Sequence, residues 1–297
     1  MTESSNVSAM AYCFVARPRR AASFALALAA LGSACGCLAA MAATGSSWVD
    51  GTHSKARLVS GMVAEDGKDT VLAGVQISMD PGWKTYWRNP GDSGVPPSFD
   101  WSGSKNLKDA EVLYPVPHRF KDANGTAVGY GDDVVFPVRI TPERAGDPVE
   151  LKLAVQYGLC KNLCIPNEAT LELELPAAAA ASAGGTLIAE FVAQVPKPAE
   201  KGALPAVKNV EAKLDGERPE LFIDIQFPPF AKGADLFIDG GEAFVPVPTP
   251  VGKPESGTQR FAVIFASQAE AARIKGKLLS LTLVTQGGSR EASLTVD

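Results

Sequence analysis

Cys160 and Cys164 are the two residues of this chain whose type and spacing best suit covalent chemistry. Three residues separate them, and runs of alternating apolar and polar residues flank them at 149–155 and 171–175. This alternation predicts a β-hairpin with both thiols near its connection. A disulfide between them would close a very small loop and restrict the unfolded chain by only about 2 kcal/mol. Such a small contribution to stability favours a redox-active pair over a bridge kept for stability alone.

Two alternatives to redox chemistry remain open for this pair. Exported proteins also contain small disulfide-bonded turns that are purely structural. Metal binding is the other alternative. The chain has two histidines, His53 and His118, and a four-ligand zinc site would need one or both of them, or carboxylates, brought to the cysteines by the fold. The spacing itself predicts no metal site.

The N-terminus predicts export from the cytoplasm. Three arginines within residues 17–20 precede an apolar, alanine-rich stretch at 21–40, and small residues at 40–43 offer a cleavage site. We therefore expect residues 1–43 to be a signal peptide and the mature protein to lie outside the cytoplasmic membrane. An uncleaved membrane anchor and a lipid-modified cysteine within this segment are the alternatives.

Cleavage would change both the charge and the cysteine content of the protein. Without residues 1–43, the counts of 28 basic and 33 acidic residues fall to 25 and 32, a net charge of −7. Such a surface repels phosphate backbones, so nucleic acid is not an expected partner. Three of the five cysteines lie in the removed segment. The mature protein would keep Cys160 and Cys164 alone, in an oxidising compartment.

The residues before and including the hairpin predict a β-sandwich. Strand-like segments occur at 54–64, 70–78, 108–114 and 134–140, with turn-forming glycine and proline between them and no long helix. Short strands at this spacing are typical of an immunoglobulin-like fold, which we assign to residues 48–176.

Two stretches between these strands are expected to be loops. Residues 81–103 combine aromatic residues with glycine and proline, and residues 115–133 are also rich in glycine and proline. Within the first stretch, Trp83, Tyr86 and Trp87 have two open interpretations. They are either ordinary core residues or a rigid cap that covers a reactive site, since large aromatic side chains have few rotatable bonds.

The second half of the chain predicts another β-structure without chemistry of its own. Residues 177–206 form an alanine- and proline-rich connector with a short amphipathic helix that begins at 185 or 186 and ends at 195. Residues 207–297 predict a second, smaller β-sandwich with no Cys, His or Trp, for which we expect a scaffolding or docking role. The predicted fold class is therefore all-β, with two immunoglobulin-like sandwiches joined by a short helical linker after a signal peptide.

Three motifs together resemble a known family. They are WKTYWRNPGDSG at 83–94, Tyr130-Gly131, and CKNLCIP at 160–166. Their combination is similar to the N-terminal periplasmic domain of the DsbD thiol:disulfide interchange proteins, in the branch that includes ScsB. The resemblance covers about residues 48–176, and beyond them the similarity is limited to β character and position.

The resemblance implies a thiol–disulfide oxidoreductase of the protein-disulfide reductase type. Such a domain shuttles electrons from a membrane-embedded or thioredoxin-like donor to periplasmic proteins. Cys160 and Cys164 would be the redox pair. The other candidate site residues are the aromatics of the possible cap, Trp83, Tyr86 and Trp87, and two neighbours, Tyr130 and Lys161.

Two departures from the family bear on the electron source. Full-length members continue into a polytopic membrane domain and a thioredoxin-like domain, whereas this sequence has no later apolar run of sufficient length and no Trp-Cys-x-x-Cys motif. The reductases that define the family also space this cysteine pair more widely. We expect the donor to be a separate polypeptide.

The expected chemistry is thiol–disulfide exchange, in which one thiolate attacks a partner disulfide and the second thiol resolves the mixed disulfide. Lys161 is the one charge between the cysteines and could favour a thiolate, but the sequence leaves open which cysteine attacks first. No bound cofactor is needed. The competing hypotheses are a non-catalytic two-domain interaction module with a structural disulfide, and Cu(I) handling by two thiolates.

Overall fold

The computed structural model describes residues 45–65, 68–122, 125–176 and 185–296, so the predicted signal peptide lies outside the described residues. The described residues belong to one compact unit. The strands are β1 Val49–Gly51, β2 Ser54–Glu65, β3 Lys68–Met79, β4 Lys84–Gly91, β5 Ser98–Asp100, β6 Leu107–Val112, β7 His118–Asp122, β8 Gly125–Gly131, β9 Asp133–Pro142, β10 Val149–Cys160, β11 Cys164–Leu175, β12 Lys197–Pro198, β13 Ala206–Lys213, β14 Glu220–Gln226, β15 Asp235–Asp239, β16 Thr249–Glu255, β17 Thr258–Ile264, β18 Leu278–Thr285 and β19 Gly288–Thr295. The helices are α1 Gly185–Val192, α2 Gln268–Ala271 and a 3₁₀ turn at Ala272–Ile274.

The first half of the chain is built from two antiparallel sheets. One has the order β1-β2-β3-β9-β6, and the other has the order β11-β10-β4-β8-β7 with the short β5 paired to β10. Alternate residues of both sheets point into one shared core, where Leu58, Val75, Phe136 and Leu153 are fully buried. Burial of each such side chain stabilises the fold by roughly 1.5–3 kcal/mol. The strands predicted at 54–64, 70–78, 108–114 and 134–140 correspond to β2, β3, β6 and β9.

The short helix of the connector is present and packs on the first half. α1 spans Gly185–Val192 and ends three residues before the predicted end. Ile188 on its apolar face is fully buried against Val59, Leu72 and Val135, which come from β2, β3 and β9. The helix therefore covers the outer face of the first sheet, as expected for an amphipathic segment.

The second half contains two four-stranded sheets, with orders β12-β19-β18-β15 and β13-β14-β17-β16. They enclose a separate core that includes Ile223, Leu236, Phe261 and Leu281. Gly287 and Gly288 lie at the turn of a hairpin formed by β18 and β19. β15 and the next strand, β16, do not form a hairpin, because β15 pairs with β18 while β16 lies in the other sheet. The predicted domain boundaries stay a prediction.

Both expected loops contain strands. The stretch at 81–103 includes β4 and β5, and the stretch at 115–133 includes β7 and β8. β4 pairs with β8, where a Cβ at Gly129 would lie 1.9 Å from the carbonyl oxygen of Thr85. The close approach of the two strands therefore requires glycine, which weakens the apolar alternation from which a strand is predicted.

Within the described residues, no helix combines the length and the apolar character that crossing a membrane requires.

Candidate functional site

The candidate site lies at the end of the long β10–β11 hairpin. The two strands pair without interruption from Val149–Leu175 to Cys160–Cys164. The cysteines are the last pair of the ladder and form a disulfide, with 4.2 Å between their Cα atoms. Three residues make the connection, and the Lys161 N–H donates to the Leu163 carbonyl at 3.3 Å. The predicted hairpin with both cysteines at its connection is confirmed.

The two halves of the disulfide differ in exposure. Cys160 ends an inner strand, where it also pairs with Lys84 of β4, and it is 2% exposed. Cys164 begins the edge strand β11 and is exposed. The position of each strand in the sheet therefore makes the disulfide asymmetric, with one cysteine facing solvent and one covered by protein.

A tyrosine hydroxyl contacts both sulfurs from the protein side. The Tyr86 hydroxyl donates to Cys160 Sγ at 2.5 Å and lies 3.5 Å from Cys164 Sγ. Tyr86 is 1% exposed and packs with Cys160, Ala127 and Phe120 in a small apolar cluster. The Thr85 hydroxyl fixes β4 to β10 by donating to the Gly158 carbonyl at 2.9 Å. An O–H donor held in this way can stabilise negative charge on Cys160 Sγ.

The loop after β4 covers the ring of Tyr86. Gly94 has φ +117°, and a Cβ at this position would lie 2.2 Å from the tyrosine ring. Asp92 anchors the loop: its N–H donates to the Thr126 carbonyl at 3.0 Å, and its carboxylate accepts from the Thr126 N–H at 2.8 Å. The residues of this loop that lie beside Tyr86 are thus 94–96, which follow the aromatic cluster in the sequence.

The two tryptophans of the possible cap lie away from the sulfurs. Trp83 is half-buried and stacks on His53, with 4.2 Å between ring centroids. Trp87 is buried in the core, edge-on to Phe237 at 6.0 Å. Of these three aromatics, Tyr86 is the one whose side chain reaches the disulfide.

Tyr130 and Lys161 also use their polar atoms elsewhere. The Tyr130 hydroxyl donates to the Pro115 carbonyl at 2.8 Å inside the first core. Lys161 is exposed in the hairpin turn, and its Nζ donates to the Pro81 carbonyl at 3.1 Å. This contact ties the turn to the segment that precedes β4.

Lys84 is a neighbour of the disulfide that sequence reasoning missed. It lies directly across from Cys160, is 8% exposed, and holds its Nζ 5.6 Å from the centroid of the Phe120 ring. Lys84 lies two residues before Tyr86 in the sequence. In a strand, this spacing places both side chains on the same face, so a strand prediction for residues 84–91 would have identified Lys84 as a neighbour of the site.

A groove of about 820 Å³ opens beside Cys164. Tyr86, residues 94–96 and residues 164–168 contribute to its walls. Val95, on the loop, is 65% exposed, and Leu163, next to Cys164, is 69% exposed. Exposed apolar side chains beside an accessible sulfur are suited to contact with another protein.

The two histidines have other surroundings. His53 Nδ1 lies 2.9 Å from the Asp80 carboxylate, and His118 is exposed at the start of β7. In the part of the chain that the structure describes, no group of three or more His, Cys, Asp or Glu side chains could hold a metal ion.

Comparison with known proteins agrees with the motifs. Residues 58–176 match the family model described as thiol:disulfide interchange protein DsbD, N-terminal. The structure is similar to the crystal structure of the N-terminal periplasmic domain of ScsB from Proteus mirabilis, with a TM-score of 0.65, 23% sequence identity, and coverage of 85% of this chain and 98% of that chain. A search of curated proteins found no match. The predicted resemblance and the all-β, immunoglobulin-like fold are confirmed.

Proposed function

We propose that this chain is a periplasmic thiol–disulfide interchange protein that passes electrons through Cys160 and Cys164 from a thioredoxin-like or membrane-embedded donor to other periplasmic proteins. The observation that carries the proposal is the asymmetric disulfide. Cys164 is exposed, whereas Cys160 is buried and accepts a hydrogen bond from the Tyr86 hydroxyl. The match of residues 58–176 to a thiol:disulfide interchange family supports it. So does the structural likeness to a periplasmic domain of ScsB.

The exposure of the two cysteines determines the order of the reaction. A donor thiolate attacks Cys164 Sγ, because this is the exposed half of the disulfide. The bond between the two Sγ atoms breaks as the new sulfur–sulfur bond to the donor forms. The electron pair of the broken bond leaves on Cys160 Sγ, where the Tyr86 hydroxyl donates a hydrogen bond to the developing thiolate.

A second step completes the transfer of two electrons. The donor's other thiolate attacks its own sulfur in the mixed disulfide, so that the donor leaves as a disulfide and Cys164 as a thiolate. Uptake of two protons gives the dithiol. Delivery to an acceptor runs in reverse: the Cys164 thiolate attacks the acceptor disulfide, and Cys160 resolves the mixed disulfide and reforms the bridge.

Single-cysteine variants test this function and its order. Each variant is first converted to the mixed disulfide of its remaining cysteine with thionitrobenzoate, whose thiolate then serves as the leaving group. Cys160→Ser retains the exposed Cys164 and, in this form, should be captured by the single thiolate of a thioredoxin-like donor that lacks its own resolving cysteine. Cys164→Ser retains the buried Cys160 and should trap the same donor at least about tenfold more slowly, since access limits the exchange. Failure of both variants to capture the donor would contradict the proposed function, and faster capture by Cys160 would contradict the proposed order.

The reduction potential separates this function from a structural disulfide. A value near or above about −230 mV would suit exchange with periplasmic partners, whereas a value below about −300 mV would mark a bridge that resists reduction. The measurement requires only equilibration of the intact chain with glutathione or dithiothreitol buffers.

A further inference from the structure

β4 joins the disulfide to the second half of the chain. At the start of β4, Lys84 pairs with Cys160 of β10, and the Tyr86 hydroxyl donates a hydrogen bond to Cys160 Sγ. Its pairing with β8 is regular up to Tyr86–Gly129 and resumes only at Gly91–Ala127. The residues between Tyr86 and Gly91 thus leave the regular ladder, and other contacts must fix their position.

Asn89 is one of these residues, and its side chain forms hydrogen bonds with the second half. Its Nδ2 donates to the carbonyl of Ile238 at 2.8 Å and to the carbonyl of Val245 at 2.9 Å. Its Oδ1 accepts from the Gly91 N–H at 3.2 Å. Both amide hydrogens therefore bond to backbone carbonyls of the second half, which are fixed acceptors.

Arg88 forms a second connection with charged partners. Its Nε lies 3.2 Å from the Asp239 carboxylate, and its Nη2 contacts the Glu291 carboxylate and lies 3.3 Å from Ser280 Oγ. The guanidinium also lies over the Trp87 ring, 4.9 Å from its centroid. The Arg88 side chain is 26% exposed, so these charges interact in a partly desolvated interface rather than in open solvent.

Trp87 forms the third contact between β4 and the second half. Its ring packs edge-on against Phe237, which belongs to the second half yet is buried in the first core. Three consecutive residues directly after Tyr86 are thus held by residues 237–291. We call Trp87, Arg88 and Asn89 the β4 clamp.

We propose that the second half of the chain is a positioning element for the redox pair, and that it acts through the β4 clamp on Tyr86. Neighbouring residues of a strand are only about 3.3 Å apart, so a shift of residues 87–89 displaces Tyr86 as well. A hydrogen bond weakens steeply when its length or angle departs from the optimum. The clamp therefore maintains the hydrogen bond from Tyr86 to Cys160 Sγ. The consequence for electron transfer rests on the proposed function, but the effect on the disulfide itself does not.

The test compares variants of the full chain for the rate at which dithiothreitol reduces the disulfide. Asn89→Ala removes the two hydrogen bonds that Asn89 donates to the second half. Glu291→Gln removes the charge that pairs with Arg88, and Glu291 itself lies outside the candidate site. Each should slow reduction by about fivefold, the effect of losing roughly one hydrogen bond to the leaving sulfur. Arg260→Gln is the matched control, because it removes an ion pair of similar geometry, with Asp224 at 2.8 Å, within the second half and away from β4.

A double-variant cycle identifies the route of the effect. If the clamp acts through Tyr86, Asn89→Ala should have no further effect on the reduction rate in a Tyr86→Phe background. The proposal is overturned if Asn89→Ala and Glu291→Gln reduce at the rate of Arg260→Gln, or if the Asn89 effect persists in full without the tyrosine hydroxyl. Should Asn89→Ala fail to fold by circular dichroism, Glu291→Gln alone decides, again with and without Tyr86→Phe.

The same measurements keep this inference apart from the proposed function. Reduction by dithiothreitol needs no protein partner. A clamp effect in a chain whose single-cysteine variants capture no donor would support the positioning role and contradict only the interchange function. Normal capture of a donor without a clamp effect would contradict only the positioning role.

Discussion

The hydroxyl of Tyr86 is the single group on which the chemistry of the buried sulfur depends most. Tyr86→Phe keeps the ring in its apolar cluster and removes the donor to Cys160 Sγ. Because hydrogen bonds to charged groups contribute about 1.5–3 kcal/mol, reduction of the disulfide should slow by about tenfold or more. Stopped-flow measurement of the reduction rate by dithiothreitol checks this.

Tyr130→Phe is the matched control for that substitution. It removes a hydroxyl that donates to the Pro115 carbonyl in the core of the same half. We expect it to lower the free energy of unfolding by about 1 kcal/mol and to leave the reduction rate unchanged. Equal reduction rates for the two variants would show that the Tyr86 hydroxyl does not assist the leaving sulfur.

At the scale of residues, the sequence was informative about the cysteines and much less so about their neighbours. The hairpin was predicted from alternation, since a period of two is typical of strands and two such runs flank the cysteines. Tyr86 could not be distinguished from Trp83 and Trp87, because their environments depend on the pairing of β4. That pairing brings Tyr86 to a sulfur 74 positions away.

The loop that carries Gly94 packs directly on the ring of Tyr86. Gly94→Ala combines the cost of a left-handed backbone, φ +117°, with a clash of the new Cβ against the Tyr86 ring. Gly216→Ala is the control, since Gly216 has φ +121° and nothing within 4 Å of its Cβ position. Urea unfolding should show Gly94→Ala to be less stable than Gly216→Ala by about 1–3 kcal/mol, the usual cost of overpacking.

The reduction rate of these two glycine variants gives an independent result. Gly94→Ala should also change the rate of disulfide reduction, because the tyrosine ring must move, whereas Gly216→Ala should not. Equal stabilities and equal rates would mean that the loop does not hold the tyrosine.

The hairpin itself should depend little on its disulfide for stability. Replacement of Cys160 and Cys164 together by Ala removes a bridge across a very short loop, and we expect the free energy of unfolding to fall by about 2 kcal/mol. Urea unfolding monitored by far-ultraviolet circular dichroism measures this. A loss well above about 4 kcal/mol would exceed the usual range for such a bridge and would favour a structural role.

Strands β4 and β8 lie in stretches that were expected to be loops, because their local sequence pattern is not typical of strands. β4 contains Asn89, Pro90 and Gly91, which are typical of turns, yet its position is fixed by the second half and by β8. β8 contains glycines at 125, 129 and 131. Gly129 is required by the approach of Thr85, which no local pattern reveals.

The first half of the molecule should lose stability at alkaline pH. Burial raises the pKa of Tyr114 to about 12, raises that of Tyr130 well above its ordinary value, and raises that of Tyr157. Each stays protonated in the folded protein at a pH where the unfolded chain ionises. The stability that they contribute is therefore fully present below about pH 10 and is lost as pH rises from there towards the folded pKa.

The expected slope is about 1.4 kcal/mol per pH unit for each tyrosine that ionises only on unfolding. Urea unfolding between about pH 8 and 11 measures this slope. Tyr114→Phe should reduce the slope above pH 10 by the contribution of one tyrosine. An unchanged slope in that variant would contradict the assignment to Tyr114. The second half has no tyrosine, so the effect belongs to the first half.

The contact between the halves was the least predictable feature of the whole molecule. Each half has a pattern of its own, from which its β character was predicted. The residues that join them are separated by 149 positions for Asn89 and Ile238, and by 203 for Arg88 and Glu291. No local pattern relates residues so far apart in the sequence.

This contact should make the two halves unfold together. Besides the β4 clamp, the Arg119 guanidinium donates two hydrogen bonds of 2.7 Å to the Asp235 carboxylate and one of 2.8 Å to the Leu236 carbonyl. All four tryptophans lie within residues 48–101, so tryptophan fluorescence reports the first half, whereas far-ultraviolet circular dichroism reports both. In the unmodified protein, the two probes should give coincident urea transitions.

Loss of both arginines should separate the transitions. Arg88→Gln combined with Arg119→Gln leaves the Asp235, Asp239 and Glu291 carboxylates without their arginine partners in a partly buried interface. Removal of one partner of such pairs costs several kcal/mol, so the midpoints of the two probes should differ by about 0.5–1 M urea. Transitions that already differ in the unmodified protein, or that still coincide in the double variant, would show that the interface does not couple the halves. A positive result would mean that the half without cysteines stabilises the sheet on which the disulfide is built.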